Sequence, residues 1–361
     1  MIDPTTETST PPVLESPPAS PPPSEVLVDA WDDAEPMPLT GWFERNGFSP
    51  ILTALFVFVL AFLLFQLVIA PIVLGIGVIW DAVQNGDGTA PDMGQIMEQL
   101  TTNGRLMLTA NTVGQALGFG LLAVVVARLH TPAVRAFLRI RRPDGPGLGL
   151  AALGWATLYP AVLWTGQLNS LLPLPDWLRE LEATQVDFLE GLLMGGDLST
   201  PFLFVALALT PAICEELLFR GYLQRQVERR WGTVASIVLV GVLFGLYHLR
   251  LTQAVPLALL GVYLGFVVWA TGSLWAGFLV HLLNNGLAVA ATAFARADPD
   301  LDLESLEAMG VPWYLGIVGL VLTAFVVRAM IGRRESVVGT RSDALPVPLS
   351  PTLPSQPFPS P

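Results

Sequence analysis

The side chains able to do chemistry in this 361-residue chain are few, and they crowd into three short segments, each inside a long apolar run. These are Cys214-Glu215-Glu216-Leu217-Leu218-Phe219-Arg220, Phe244-Gly245-Leu246-Tyr247-His248 and His281-Leu282-Leu283-Asn284-Asn285. A charge at the centre of a membrane-spanning helix costs about 2.5–3.5 kcal/mol on insertion scales, so polar groups kept there mark candidate sites. Helical residues four apart share a face. Glu216 can therefore pair with Arg220, while His281 and Asn285 project side by side. Glu215 is turned about 100° from Glu216 and is left free. An unpaired carboxylate in a low-dielectric surrounding suits a general base. Glu215, His248 and His281 would also suit zinc with an open water position, although no His-Glu-x-x-His pair lies on one helix.

Rival uses of these groups are hydrogen bonds between helices and a proton relay in a coupled transporter. No inverted repeat with paired broken helices is evident, which counts against the transporter. Depth favours a shared site. If the second and first of these helices form a hairpin near Trp231, Glu215 lies 16 residues before the turn and His248 lies 17 after it. At 1.5 Å per residue both then sit roughly 25 Å from the turn. Phe244, one turn from His248, can wall off that imidazole.

The elements that must position these groups follow from composition. The chain is 52% hydrophobic and 13% charged, where soluble domains carry roughly 25% charge. Its apolar residues form runs near the roughly 20 residues that a span needs. Eight spans are predicted, at about 51–76, 106–128, 147–171, 201–222, 233–249, 254–271, 273–293 and 312–331. The expected fold is an all-α polytopic membrane bundle, since uninterrupted apolar runs lack the alternation of barrel strands. Pro71, Pro160, Pro211 and Pro256 predict kinks or broken turns, and Pro211, one turn before Glu215, could open the helix there for water or substrate. Residues 1–48 and 335–361 are Pro/Ser-rich and are expected to be disordered tails, flanking a membrane domain over 49–334. No cleaved signal peptide is expected, because no basic segment precedes an early apolar core.

The net charge of −12 resides in the tails and loops rather than on a face. All eighteen basic residues are arginine, grouped at the ends of apolar runs, so no nucleic-acid stripe exists. Arg128–Arg142, Arg220–Arg230 and Arg328–Arg334 place the even-numbered loops and both termini in the cytoplasm. Stretches near Gln95–Leu100 and Trp177–Leu192 are amphipathic and are expected on the outer surface. Cys214, the one cysteine, is expected to be a buried filler. His130 and Trp231 fall at predicted membrane boundaries, where interfacial anchoring is the default.

Glu-Glu-x-x-x-Arg, Phe-x-x-x-His and His-x-x-x-Asn, in this order on successive membrane helices, resemble the three motifs of the CPBP family. That family comprises CAAX prenyl endopeptidases, bacteriocin-processing proteins and bacteriocin-immunity proteins. The resemblance covers about residues 201–293. It implies an intramembrane endopeptidase and carries the role of base onto Glu215, that of water-binding partner onto His248, and oxyanion stabilisation onto His281 and Asn285. Glu216, Arg220 and Phe244 would support them. It further implies a membrane-associated protein or peptide as substrate, the lipid bilayer as surroundings and no nucleic acid. The favoured chemistry is metal-free and glutamate-driven, because Asn285 beside His281 suits an oxyanion site; zinc on Glu215, His248 and His281 is the alternative. The immunity members keep a non-enzymatic scaffold as a further alternative, beside the transporter. The expected location is a bacterial cytoplasmic membrane.

Overall fold

The computed structural model describes residues 26–27, 37–85, 92–194, 198–298 and 310–344. Two short strands, β1 (Val26–Leu27) and β2 (Met37–Pro38), pair antiparallel with Val26 opposite Pro38. The other elements are helices. They are α1 (Trp42–Arg45), α2 (Pro50–Gln84), α3 (Met93–Thr102), α4 (Gly104–Arg128), α5 (Val134–Phe137) and α6 (Gly145–Ser170). After them come α7 (Asp176–Met194), α8 (Thr200–Tyr247), α9 (Leu251–Thr271), α10 (Leu274–Ala297) and α11 (Trp313–Ala344). Seven of these, α2, α4, α6, α8, α9, α10 and the first 26 residues of α11, are long and apolar enough to cross a membrane. The protein is an all-α, multi-pass membrane protein.

Seven such helices stand where eight spans were predicted, because the predicted fourth and fifth spans share the 48 residues of α8. Gly232 breaks α8: its φ of 80° lies in the left-handed region that only glycine adopts freely. The Phe219 and Phe244 rings are 5.3 Å apart, whereas a straight helix would hold them roughly 37 Å apart. The two arms of α8 therefore fold back on each other at Gly232.

The second arm packs along α9, α9 along α6, and α6 along α11. At the first of these crossings the backbones meet. A Cβ on Gly241 would lie 2.5 Å from the Val262 nitrogen, and one on Gly261 2.6 Å from the Gly241 oxygen. Small residues at such a crossing give van der Waals contact that lipid cannot match. One buried cluster joins α6, α9, α10 and α11 through Leu158, Leu264, Val280 and Val326. A second joins α2, α4 and α8 through Phe65, Phe119, Leu218 and Phe219. Between them runs α10, touching both arms' partners: the first arm of α8, α9 and α6.

Two of the four predicted proline kinks coincide with widened turns. π-Helical turns at Leu64–Ile69 and Phe204–Leu209 precede Pro71 and Pro211, whereas α6 and α9 continue through Pro160 and Pro256. The expected disordered tails are both too long. Residues 37–48 pack on the bundle, with Leu39 and Phe43 buried and the Gly41 N–H donating to the His130 carbonyl at 2.7 Å. Averaging over forty-eight residues hid the few apolar side chains that provide this burial. At the other end α11 runs to Ala344, ten residues beyond the expected boundary, because the first helix-breaking proline of the tail is Pro346. Both amphipathic stretches are helical, within α3 and α7.

Candidate active site

The first arm of α8 carries the acidic groups, and its local geometry starts with Pro211. Proline lacks the N–H that would meet the Leu207 carbonyl in a regular α-helix. The helix widens into its π-turn there, and Asn285 of α10 donates from Nδ2 to the Leu207 oxygen at 3.1 Å. A second π-helical turn, Leu217–Leu223, follows Glu216; such turns recur at functional sites.

Glu216 and Arg220 are wholly buried. Arg220 Nη1 donates to Glu216 Oε1 at 2.7 Å, and Nη2 donates to the Gly261 carbonyl at 3.1 Å. The guanidinium stands 4.4 Å over the Phe244 ring, a favourable cation–π placement. One turn on, Gln224 donates to the Gly265 carbonyl at 3.0 Å. The stripe 216–220–224 thus stitches α8 to α9. Glu216 Oε1 also lies 3.0 Å from His281 Nδ1. Room for that carboxylate comes from Gly277, one turn before His281, where a Cβ would lie 2.7 Å from Glu216 Oε2.

Glu215 points elsewhere. It is 5% exposed, and its Oε2 is buried without a hydrogen-bond partner among the described residues. The nearest cationic or imidazole nitrogen is His281 Nε2, 4.0 Å from that oxygen and beyond hydrogen-bond range. His281 therefore lies between the two carboxylates. A carboxylate can only accept, so His281 Nδ1 donates to Glu216 and its Nε2 faces Glu215.

His248 ends the second arm. Its Nδ1 lies 2.8 Å from the Phe244 carbonyl; a carbonyl only accepts, so Nδ1 donates and Nε2 is an acceptor. The Phe244 ring meets His248 edge-on at 5.0 Å and His281 at 5.7 Å, touching both imidazoles as it shields them. His248 forms no hydrogen bond or ion pair with Glu215 among the described residues. Asn285 is oriented by a chain in which Trp155 Nε1 donates to Asn284 Oδ1 at 3.5 Å and Asn284 Nδ2 donates to Asn285 Oδ1 at 3.2 Å. Its amide thus faces Leu207 and spends one N–H there. The structure brings Glu215, Glu216, Arg220 and His281 into one cluster, joins His248 to it through Phe244, and sets Asn285 at the Pro211 break.

Glu215, His248 and His281 do not gather as a ligand set. Among the described residues no group of three or more His, Cys, Asp or Glu side chains is arranged to hold a metal ion. Cys214 is buried, its Sγ filling the space beside Gly120. Trp231 is 53% exposed. His130, in contrast, is no interfacial anchor. It is 1% exposed, with Nδ1 2.6 Å from Glu44 Oε1 and Nε2 2.6 Å from Gln226 Nε2 and 3.0 Å from the Tyr222 hydroxyl. The signal for this cluster lay in Tyr222, Gln226 and Arg229, which recur at one-turn intervals on α8.

A bundle of apolar helices enclosing an unpaired carboxylate, two imidazoles and an amide defines a polytopic membrane protein with a hydrolase-like interior. Residues 197–287, roughly a quarter of the chain, match the family described as Type II CAAX prenyl endopeptidase Rce1-like. The matched segment contains Glu215, Glu216, Arg220, Phe244, His248, His281 and Asn285, and the match supports a CPBP-family intramembrane protease, an enzyme class that acts on membrane-associated proteins within a bilayer. No curated protein and no solved structure matches the chain.

Proposed function

We propose that this protein is a metal-free intramembrane endopeptidase in which Glu215 is the general base. The observation that carries this reading is the contrast between neighbouring carboxylates. Glu216 is engaged through Oε1 by Arg220 and His281, its Oε2 being buried without a partner, while Glu215, also buried, makes no hydrogen bond at all among the described residues. A base must keep a lone pair for the proton it takes. His248 supplies a free Nε2 as acceptor, the orientation needed to hold one hydrogen of a water while Glu215 removes the other.

The water oxygen attacks the scissile carbonyl carbon as its proton passes to Glu215. The resulting oxyanion meets the second amide N–H of Asn285, beside His281, whose ring is anchored to Glu216 through Nδ1. Collapse breaks the C–N bond, and the proton on Glu215 leaves with the amine. The substrate is a membrane-associated protein or peptide reaching the site from the cytoplasmic leaflet.

Comparative proteomics of membrane fractions tests this reading. Cells carrying wild-type protein should yield new peptide ends that are absent with Glu215→Gln. Identical ends in both would defeat the endopeptidase assignment and leave the scaffold or transporter readings.

A further inference from the structure

The turn that carries His248 into α9 is strained and is held from outside. Leu249, a bulky residue, has a φ of +54°, a conformation that persists only where the surroundings over-determine it. Arg250, at the cap of α9, offers no side-chain hydrogen bond to the first amides of that helix, which would otherwise stay unpaired. Glu182 of α7 supplies the cap. Its carboxylate accepts from the Leu251 N–H at 2.7 Å, the Thr252 N–H at 3.2 Å and the Thr252 hydroxyl at 2.5 Å. From α6, Asn169 donates to the Leu251 carbonyl at 2.6 Å and accepts from the Val255 N–H at 3.1 Å. Both side chains are 3% exposed.

The choice of anchor is informative. Helix α7 lies outside the predicted spans, and its single buried side chain among the described residues is this glutamate. An apolar residue would anchor an amphipathic helix as well if docking were the only requirement. A carboxylate aimed at three donors fixes position and angle as well.

We propose that Glu182 is a positioning residue for the reaction: it fixes the start of α9, and through the strained Leu249 turn it holds the His248 imidazole at the depth of Glu215, so that α7 and the site move as one. This rests on the reading of His248 as the group that holds water.

The test uses the full chain in lipid nanodiscs, a dye-labelled farnesylated CAAX peptide as probe, and histidine-selective NMR. With Glu182→Ala, kcat should fall about tenfold or more, the scale of a small misplacement of a reacting group, with KM within twofold. Glu182→Gln, which keeps an acceptor for the Leu251 amide, should regain most of the loss. The His248 ring resonances should move in Glu182→Ala while those of His281 stay. Unchanged kcat, a rise in KM alone, or an unmoved His248 resonance would overturn the proposal. If wild type leaves the probe uncut, the peptidase reading is what suffers, and the His248 resonance still decides whether Glu182 positions it. Should Glu182→Ala fail to fold, Thr252→Val, which deletes one donor, must show the same shift at His248 for the proposal to stand.

Discussion

Glu215 and Glu216 are adjacent, chemically identical and both buried, yet substitution should separate them sharply. Glu215→Gln replaces a carboxyl that makes no hydrogen bond among the described residues, so the folded state should keep or gain melting temperature. Cleavage should fall by 10²-fold or more, the usual contribution of a general base. Glu216→Gln strands the buried Arg220 guanidinium, a change worth about 3–5 kcal/mol, and thermal denaturation in nanodiscs should show it as a large loss of stability. Equal effects at the two positions would refute the division of labour. Half of this was legible in the sequence. The i,i+4 spacing assigns Arg220 to Glu216 and frees Glu215, because both partners ride one helix. The His281 Nδ1 bond to Glu216 was not legible, because it depends on how far α10 is rotated against α8, a matter of packing. Gly277 was invisible for the same reason. Gly277→Ala should strike Glu216 Oε2 and Val268 Cγ2, at 2.7 and 2.6 Å, and cost about 1–3 kcal/mol as overpacking does, read as a drop in melting temperature accompanied by lost activity.

At the scale of elements, Pro211 and Asn285 act as a pair drawn from two helices. The proline leaves the Leu207 oxygen short of an N–H, and the asparagine repairs the gap while its second N–H stays available. Pro211→Ala restores the backbone donor and removes an interior proline, which costs a helix about 3 kcal/mol. The expected result is a higher melting temperature with a lower kcat, because Asn285 loses the contact that aims it. A variant that gains stability with unchanged kcat would show that the amide needs no such aim. The sequence marked Pro211 as a break but assigned Asn285 only to the reaction. The equal depth of Glu215 and His248 was drawn from a hairpin assumed near Trp231, and the turn lies at the next residue, Gly232. The count of eight spans assumed that each crossing is a separate helix, whereas a single glycine φ lets one 48-residue helix turn back on itself.

At the scale of the molecule, the cytoplasmic side proposed from the arginines is closed by a segment that composition had assigned to a tail. Glu44 of α1 meets His130, and Arg229 of α8 lies 3.2 Å from Glu44 Oε1, so the N-terminal segment is tied to the same helix that carries Glu215. Burial alone would push the Glu44 carboxyl up, but the His130 hydrogen bond and the Arg229 guanidinium outweigh it and hold it below its ordinary value. For a carboxyl lowered in this way, the stabilisation is fully present above the ordinary glutamate pKa near about 4.3 and is lost as pH falls through the lowered value. Wild type should therefore melt above Glu44→Gln by a constant margin from neutral pH down to about pH 5, and the margin should close in stronger acid. Limited proteolysis should follow the same course, with cleavage near residues 37–48 speeding up in Glu44→Gln at neutral pH. A margin that is absent at neutral pH, or that widens in acid, would mean that apolar contacts of Leu39 and Phe43 hold the segment without help from the ionised pair.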